Sequence, residues 1–142
     1  MRIMVIIKAN ADSEAGNSPS QALLTAMGNY NEELVKAGIM LDGEGLKASR
    51  FGKRVEFEGD KTKVIDGPFS ATKELVAGFW MWQVKSMEEA VAWARRIPNT
   101  DGGHGSVELR PVFETDDFAE TMTPELRAQE DKLRAELEKK RS

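Results

Sequence analysis

The sequence predicts an α+β fold in which a β-α-β-β-α-β order lays two helices on one face of a single antiparallel sheet. Three observations predict it. Short runs rich in β-branched and aromatic residues alternate with two amphipathic segments that begin on helix-capping signals. At 142 residues without a cysteine, the chain suits one core that needs no disulfide. The run from Leu75 to Val84 is apolar on both alternating sides, whereas a sheet with one wet face needs only one.

The elements follow in order. RIMVIIK, residues 2–8, is short and branched and reads as a buried strand. ANADSEAGN reads as a polar loop. The first helix is predicted from Ser18 to Ala37, with Ser18 as N-cap, Pro19 at the first helical position, Gln21 completing a capping box and Gly38 as the stop. Leu23, Met27, Tyr30 and Leu34 form its buried stripe. IMLDGEGLKASRF starts as a strand, and Gly43 and Gly45 forecast a bend or bulge. KRVEFEGDKTKVID alternates Val55 and Phe57 with charges and turns at Gly59-Asp60, the pattern of an inserted hairpin. The long strand comes next, then a second helix over SMEEAVAWARRIP with a Ser86/Glu89 capping box and Pro98 as terminator. GSVELRPVFE is the last strand of the sheet. Thr123 and Pro124 open a charged C-terminal helix with a sparse Leu126, Leu133, Leu137 stripe. Without the hairpin and tail, this order is the ferredoxin-like split βαβ.

Strand alternation assigns the two faces. Ile3, Val5, Ile7, Trp80, Trp82, Val107 and Leu109 fall under the helices. Arg2, Met4, Ile6 and Lys8, with Phe79, Met81 and Gln83 and with Glu108, Arg110 and Val112, fall on the open face. An apolar wall with sparse charged anchors has the composition of a ligand pocket. Its apolar part needs a cover, for which a second copy, sheet against sheet, offers more large apolar residues than the tail helix.

Composition excludes several classes. Without cysteine there is no thiolate chemistry and no zinc-thiolate site, and with His104 as the only histidine a transition-metal site is not expected. No cofactor motif is present: there is no phosphate-binding Walker loop, and GEGLKASRFG lacks the spacing of a dinucleotide fingerprint. Net charge is −4 with both signs interspersed, so nucleic acid is not expected as a direct partner. No stretch approaches the ~20 apolar residues of a membrane span, and the apolar core Ile3 to Ile7 is too short for a secretory leader. The expectation is a soluble, cytoplasmic protein with no membrane partner.

DGPFSATKE at Asp66 to Glu74, with GEGL at Gly43 to Leu46, EEAVAWARRIP and GSVELRPV, resembles the DGPF subgroup of the YCII-related domain proteins over roughly residues 1 to 114. The resemblance implies a ferredoxin-like domain, here 1–115, that pairs into a homodimeric α-β barrel, with a charged helical extension at 116–142. Members of the subgroup are sometimes encoded beside, or fused to, extracytoplasmic-function sigma factors. Other YCII-type proteins resemble small enzymes with a proposed His-Asp pair whose histidine lies on the first helix. Here that helix has none, so the pair is not carried over.

Candidate site residues follow from residue type and position. His104, in TDGGHGS, is either a general base or ligand contact beside glycine amides or a solvated loop histidine. Asp66 either bonds the turn that follows it or joins Lys73, Glu74 and Glu44 in a cluster of carboxylates beside an ammonium, able to do acid-base work. Arg110 either pairs with Glu108 or Glu114 or receives an anionic ligand. Gln83 adds a polar group to the open face. Two functions remain open. One is a binder or enzyme for a small anionic molecule between paired sheets. The other is a regulatory or protein-interaction module, linked to a sigma factor, with the tail as its docking surface.

Overall fold

The computed structural model describes residues 1–70 and 74–141, which divide into two compact units, Met1–Pro111 and Val112–Ser142. The first contains β1 (Arg2–Lys8), α1 (Ala11–Glu14), α2 (Gln21–Lys36), β2 (Met40–Gly45), a 3-10 turn (Ser49–Phe51), β3 (Lys53–Glu58), β4 (Lys61–Asp66), β5 (Val76–Gln83), α3 (Met87–Ala94) and β6 (Val107–Pro111). The second contains a 3-10 turn (Thr115–Phe118) and α4 (Pro124–Arg141).

Four strands make an antiparallel sheet in the order β2-β5-β1-β6, and β3 pairs with β4 in a separate two-stranded sheet. That order is the ferredoxin-like arrangement, with the hairpin inserted between the second and third strands of the main sheet. The hairpin turns at Gly59, whose φ of +62° suits a residue without a side chain. In β2 the pairing slips between Met40 and Asp42, ahead of Gly43 and Gly45, the expected place of the bend or bulge; the two glycines themselves pair in regular register with Trp80 and Gly78.

Two helix starts differ from the sequence reading. The N-cap of α2 is Ser20, not Ser18: its Oγ accepts the Leu23 N–H at 3.0 Å and donates to the Asp101 carboxylate. Ser18 and Ser20 are both local cap candidates, and the Asp101 bond that Ser20 gains comes from the loop before β6, 81 residues away in sequence. The segment read as a polar loop contains the one-turn helix α1. It is nucleated by a reciprocal cap in which Asn10 Oδ1 accepts the Ser13 N–H at 2.8 Å and Ser13 Oγ accepts the Asn10 N–H at 2.9 Å.

Both long helices of the first unit pack on one face of the sheet. Cross-strand register sets Ile3 opposite Trp82 and Val5 opposite Trp80, and Tyr30 and Leu34 of α2 and Ala90 of α3 complete the buried cluster. Tyr30 Oη donates to the Trp93 carbonyl at 2.6 Å, and Trp80 Nε1 donates to Asn31 Oδ1 at 3.0 Å. Burial pushes the Tyr30 hydroxyl up to about 12. Gly43 keeps this face closed, because a Cβ there would stand 2.7 Å from Trp80 Cδ1. The opposite face presents two cross-strand rows, Asp42–Met81–Met4–Arg110 and Glu44–Phe79–Ile6–Glu108. Its apolar members, Met4, Ile6, Phe79 and Met81, are all partly exposed.

The Asp66–Phe69 turn is built into the first unit by specific contacts. Asp66 pairs with Lys53, its cross-strand neighbour. A Cβ on Gly67 would fall 1.8 Å from the Ser49 carbonyl oxygen, so only glycine fits there. Phe69 donates its N–H to Ser49 Oγ at 3.0 Å, and its ring lies under the Arg54 guanidinium, 4.0 Å from the centroid. Ser49 in turn donates from both its N–H, at 2.8 Å, and its hydroxyl to the Glu14 carboxylate. These bonds, the hydroxyl first, hold the Glu14 carboxyl below its ordinary range, and the Arg50 guanidinium acts in the same sense.

In the second unit, Thr123 caps α4 by accepting the Leu126 N–H at 3.1 Å. No residue of α4 is buried. Among the described residues, no helix is long and apolar enough to cross a membrane.

Candidate functional site

The charged edge of the open face is assembled by β1 and β6. Alternation sends Lys8, Glu108 and Arg110 to the same side, and the β1–β6 register, Met4 against Arg110 and Ile6 against Glu108, makes them neighbours. Arg110 Nη1 donates to Glu108 Oε2 at 3.1 Å. Lys8 Nζ stands 3.6 Å from Glu108 Oε1, close enough for charge attraction but too far for a hydrogen bond. The Arg110 hydrogen bond, and after it the Lys8 ammonium, hold the Glu108 carboxyl below its ordinary range. One carboxylate thus serves two cations. The Arg110 side chain is 67% exposed, so this ion pair contributes little to stability and leaves guanidinium N–H groups facing solvent. Glu108 is one of the partners foreseen for Arg110.

A second feature lies at the end of this edge, where β1 runs out and the loop into β6 comes in. A concavity of about 660 Å³ is lined there by Lys8, His104, Ser106 and the glycines on either side of the histidine, with Ala9–Asp12 as the facing wall. A narrower pocket of about 320 Å³ shares Lys8, Gly105 and Ser106 and runs toward Leu23, Met27 and Trp80 on the helix side. The loop is shaped by Gly102, with φ +72°, and by Asn99, whose Nδ2 donates to the Gly103 carbonyl at 3.0 Å.

The other predicted residues are dispersed. Asp66 belongs to the hairpin sheet and is paired with Lys53. Glu44 sits on β2 opposite Phe79, and Gln83 opposite Arg2, with Gln83 Nε2 donating to the Met1 carbonyl at 3.2 Å. Glu74 is exposed just ahead of β5. Lys73 lies outside the described residues. Among the described residues no hydrogen bond or ion pair joins Asp66, Glu44 and Glu74. The bond between Glu14 and Ser49 was missed in the sequence, because 35 residues separate the partners and neither carries a motif. The role of Lys8 was partly visible: alternation put it on the open face, while its approach to Glu108 depends on register. Among the described residues there is no group of three or more histidine, aspartate or glutamate side chains that could hold a metal ion.

Residues 1–116 match the family model of the YCII-related domain. The chain is also 42% identical over 78 residues to an uncharacterized protein of Rhizobium meliloti (strain 1021), an alignment covering 55% of this chain. The chain spans about 63% of that relative's length.

Proposed function

Because the chain belongs to the YCII-related domain family, and its motifs sit on a sheet with an uncovered apolar face, we propose that it binds a small anionic molecule in a cleft between two copies paired sheet to sheet. Within the family we place it in the DGPF subgroup, on the Asp66–Phe69 motif. Residues 1–115 form the binding domain in this reading, and 116–142 a charged helical extension. The observation that carries it is the arrangement of two cations on one carboxylate beside an apolar strip. Glu108 neutralises only one of Lys8 and Arg110, and the strip of Met4, Ile6, Phe79 and Met81 is partly exposed. A second copy covers the strip, and the lower polarity of the closed cleft strengthens the pull of Arg110 on an anion. Glu44 and Gln83, from the far half of the same face, supply hydrogen-bonding groups to the rest of the ligand.

The test is a thermal-shift and calorimetric screen of small carboxylates and phosphates against the parent chain and Arg110→Met, with sedimentation equilibrium on both. A dimeric parent stabilised by an anion, and an Arg110→Met dimer that loses at least tenfold in affinity for it, support the proposal. A monomeric parent, or an Arg110→Met protein that responds as the parent does, overturns it.

A further inference from the structure

We infer that the concavity at the end of β1 and β6 is a separate site for the phosphate group of a small molecule, held by Lys8 and by the amides of the loop Gly103–Ser106.

The loop supplies donors that the fold does not use. Two of its carbonyls are engaged, Gly103 with Asn99 Nδ2 at 3.0 Å and Ser106 with the Lys8 N–H at 3.1 Å. Among the described residues, however, the N–H groups of Gly103, His104 and Gly105 donate to no protein acceptor. Three successive amides of this kind next to a lysine form a receptor for a tetrahedral oxyanion, because each phosphate oxygen can accept more than one N–H. Glycine on both sides of His104 leaves the backbone uncovered for close approach.

Charge points the same way. Three carboxylates lie near the concavity, and each has a partner. Glu108 takes Arg110 at 3.1 Å, Asp101 takes the Ser20 hydroxyl at the start of α2, and Asp12 takes Asn17 Nδ2 at 3.4 Å. Lys8 makes only the loose 3.6 Å approach to Glu108, so its ammonium has donors to spare for an anion on the loop side. Its side chain is only 25% exposed, which limits how far the ammonium can swing away. A volume of about 660 Å³ exceeds what a bare phosphate fills, and Ala9 and Ala11 offer apolar wall to the organic part. His104 is the protein's one imidazole and lines the same space, so it can donate to a phosphate oxygen.

That histidine makes the test direct, since its ring gives an unambiguous signal. Inorganic phosphate is titrated at constant ionic strength and pH into the isotope-labelled full chain, with chloride and acetate as comparison salts. The expected result is a saturable movement of the His104 ring resonance and of the Gly103, His104 and Gly105 amides with phosphate. Chloride moves none of them, and acetate needs at least tenfold higher concentration. Lys8→Gln should weaken phosphate tenfold or more and Lys8→Arg should restore it, while Arg110→Met should leave it unchanged. Resonances that stay put or drift linearly with any salt mean an adventitious ion only and overturn the site. So does a phosphate response that survives in Lys8→Gln. A response lost in Arg110→Met but kept in Lys8→Gln moves the anion to the sheet face, which sinks this site and leaves the proposed function standing. If Lys8→Gln fails to fold, the parent titration and Lys8→Arg still decide.

Discussion

The two faces of the four-stranded sheet are made by the same strands, yet they are different materials. On the helix side, Ile3, Val5 and Trp82 are fully buried and interlock with Leu34 and Ala90. On the other side the neighbouring residues of those strands, Met4, Ile6 and Met81, stay half in water beside Lys8, Glu108 and Arg110. Among the described residues no buried side chain is charged, whereas Met4, Ile6, Phe79 and Met81 of the open face are all partly exposed. The difference teaches that a period-two pattern can hold stability and recognition in one strand by sending alternate residues to separate tasks.

The largest expected effect comes from exchanging the two materials. Trp82→Glu buries a carboxylate where no partner exists and removes the largest core side chain, a cost of about 5 kcal/mol or more against a total of about 5–15 kcal/mol. It should be unfolded by circular dichroism. Met81→Glu, one residue earlier, should keep the fold within about 1 kcal/mol of the parent subunit and sediment as a monomer. A folded Trp82→Glu protein would break the comparison.

Glycines sharpen it at a smaller scale. Gly43 faces Trp80, where a Cβ at 2.7 Å from Cδ1 meets a ring locked into the core, and Gly45, two residues on, has nothing within 4 Å. Gly43→Ala should lose about 1–3 kcal/mol in urea unfolding. Gly45→Ala should be unchanged or gain up to about 1 kcal/mol by restricting the unfolded chain. Both glycines lie on the helix-side face of β2, opposite Trp80 and Gly78, so equal losses at both would mean that this face is packed as tightly at the end of the strand as against Trp80.

The smallest effects are in pH. Glu108 titrates below its ordinary range when folded, so its contribution is present above the ordinary carboxylate pKa and is lost as pH falls through the depressed value. Tyr30 titrates above its ordinary range, so its contribution is present below about 10 and is lost as pH rises toward about 12. Glu108→Gln should therefore flatten the acid limb of a stability–pH profile, and Tyr30→Phe the alkaline limb. The assignment fails if either substitution acts on the other limb.

Sequence alone determined the order of the strands and of the longer helices, the hairpin with its Gly59 turn, the caps at Ser86 and Thr123 and the division of β1, β5 and β6 into two faces, because these follow from periodicity and short-range hydrogen bonding. It also located Arg110 on the open face and His104 in a glycine loop. Only the tertiary structure decided which partners those residues meet. The Lys8–Glu108 approach depends on strand register, the Ser20–Asp101 bond at the start of α2 spans 81 residues, and the loop Gly103–Ser106 meets Lys8 only because β1 ends beside it. The same holds for the Asp66–Phe69 motif. Its glycine is required by the Ser49 carbonyl and its phenylalanine amide is held by the Ser49 hydroxyl, contacts that span 18 and 20 residues and leave no periodic trace in the chain. Local rules act over a few residues, whereas a site is made by closing long loops, and the free energy of that closure is set by packing that no single segment contains.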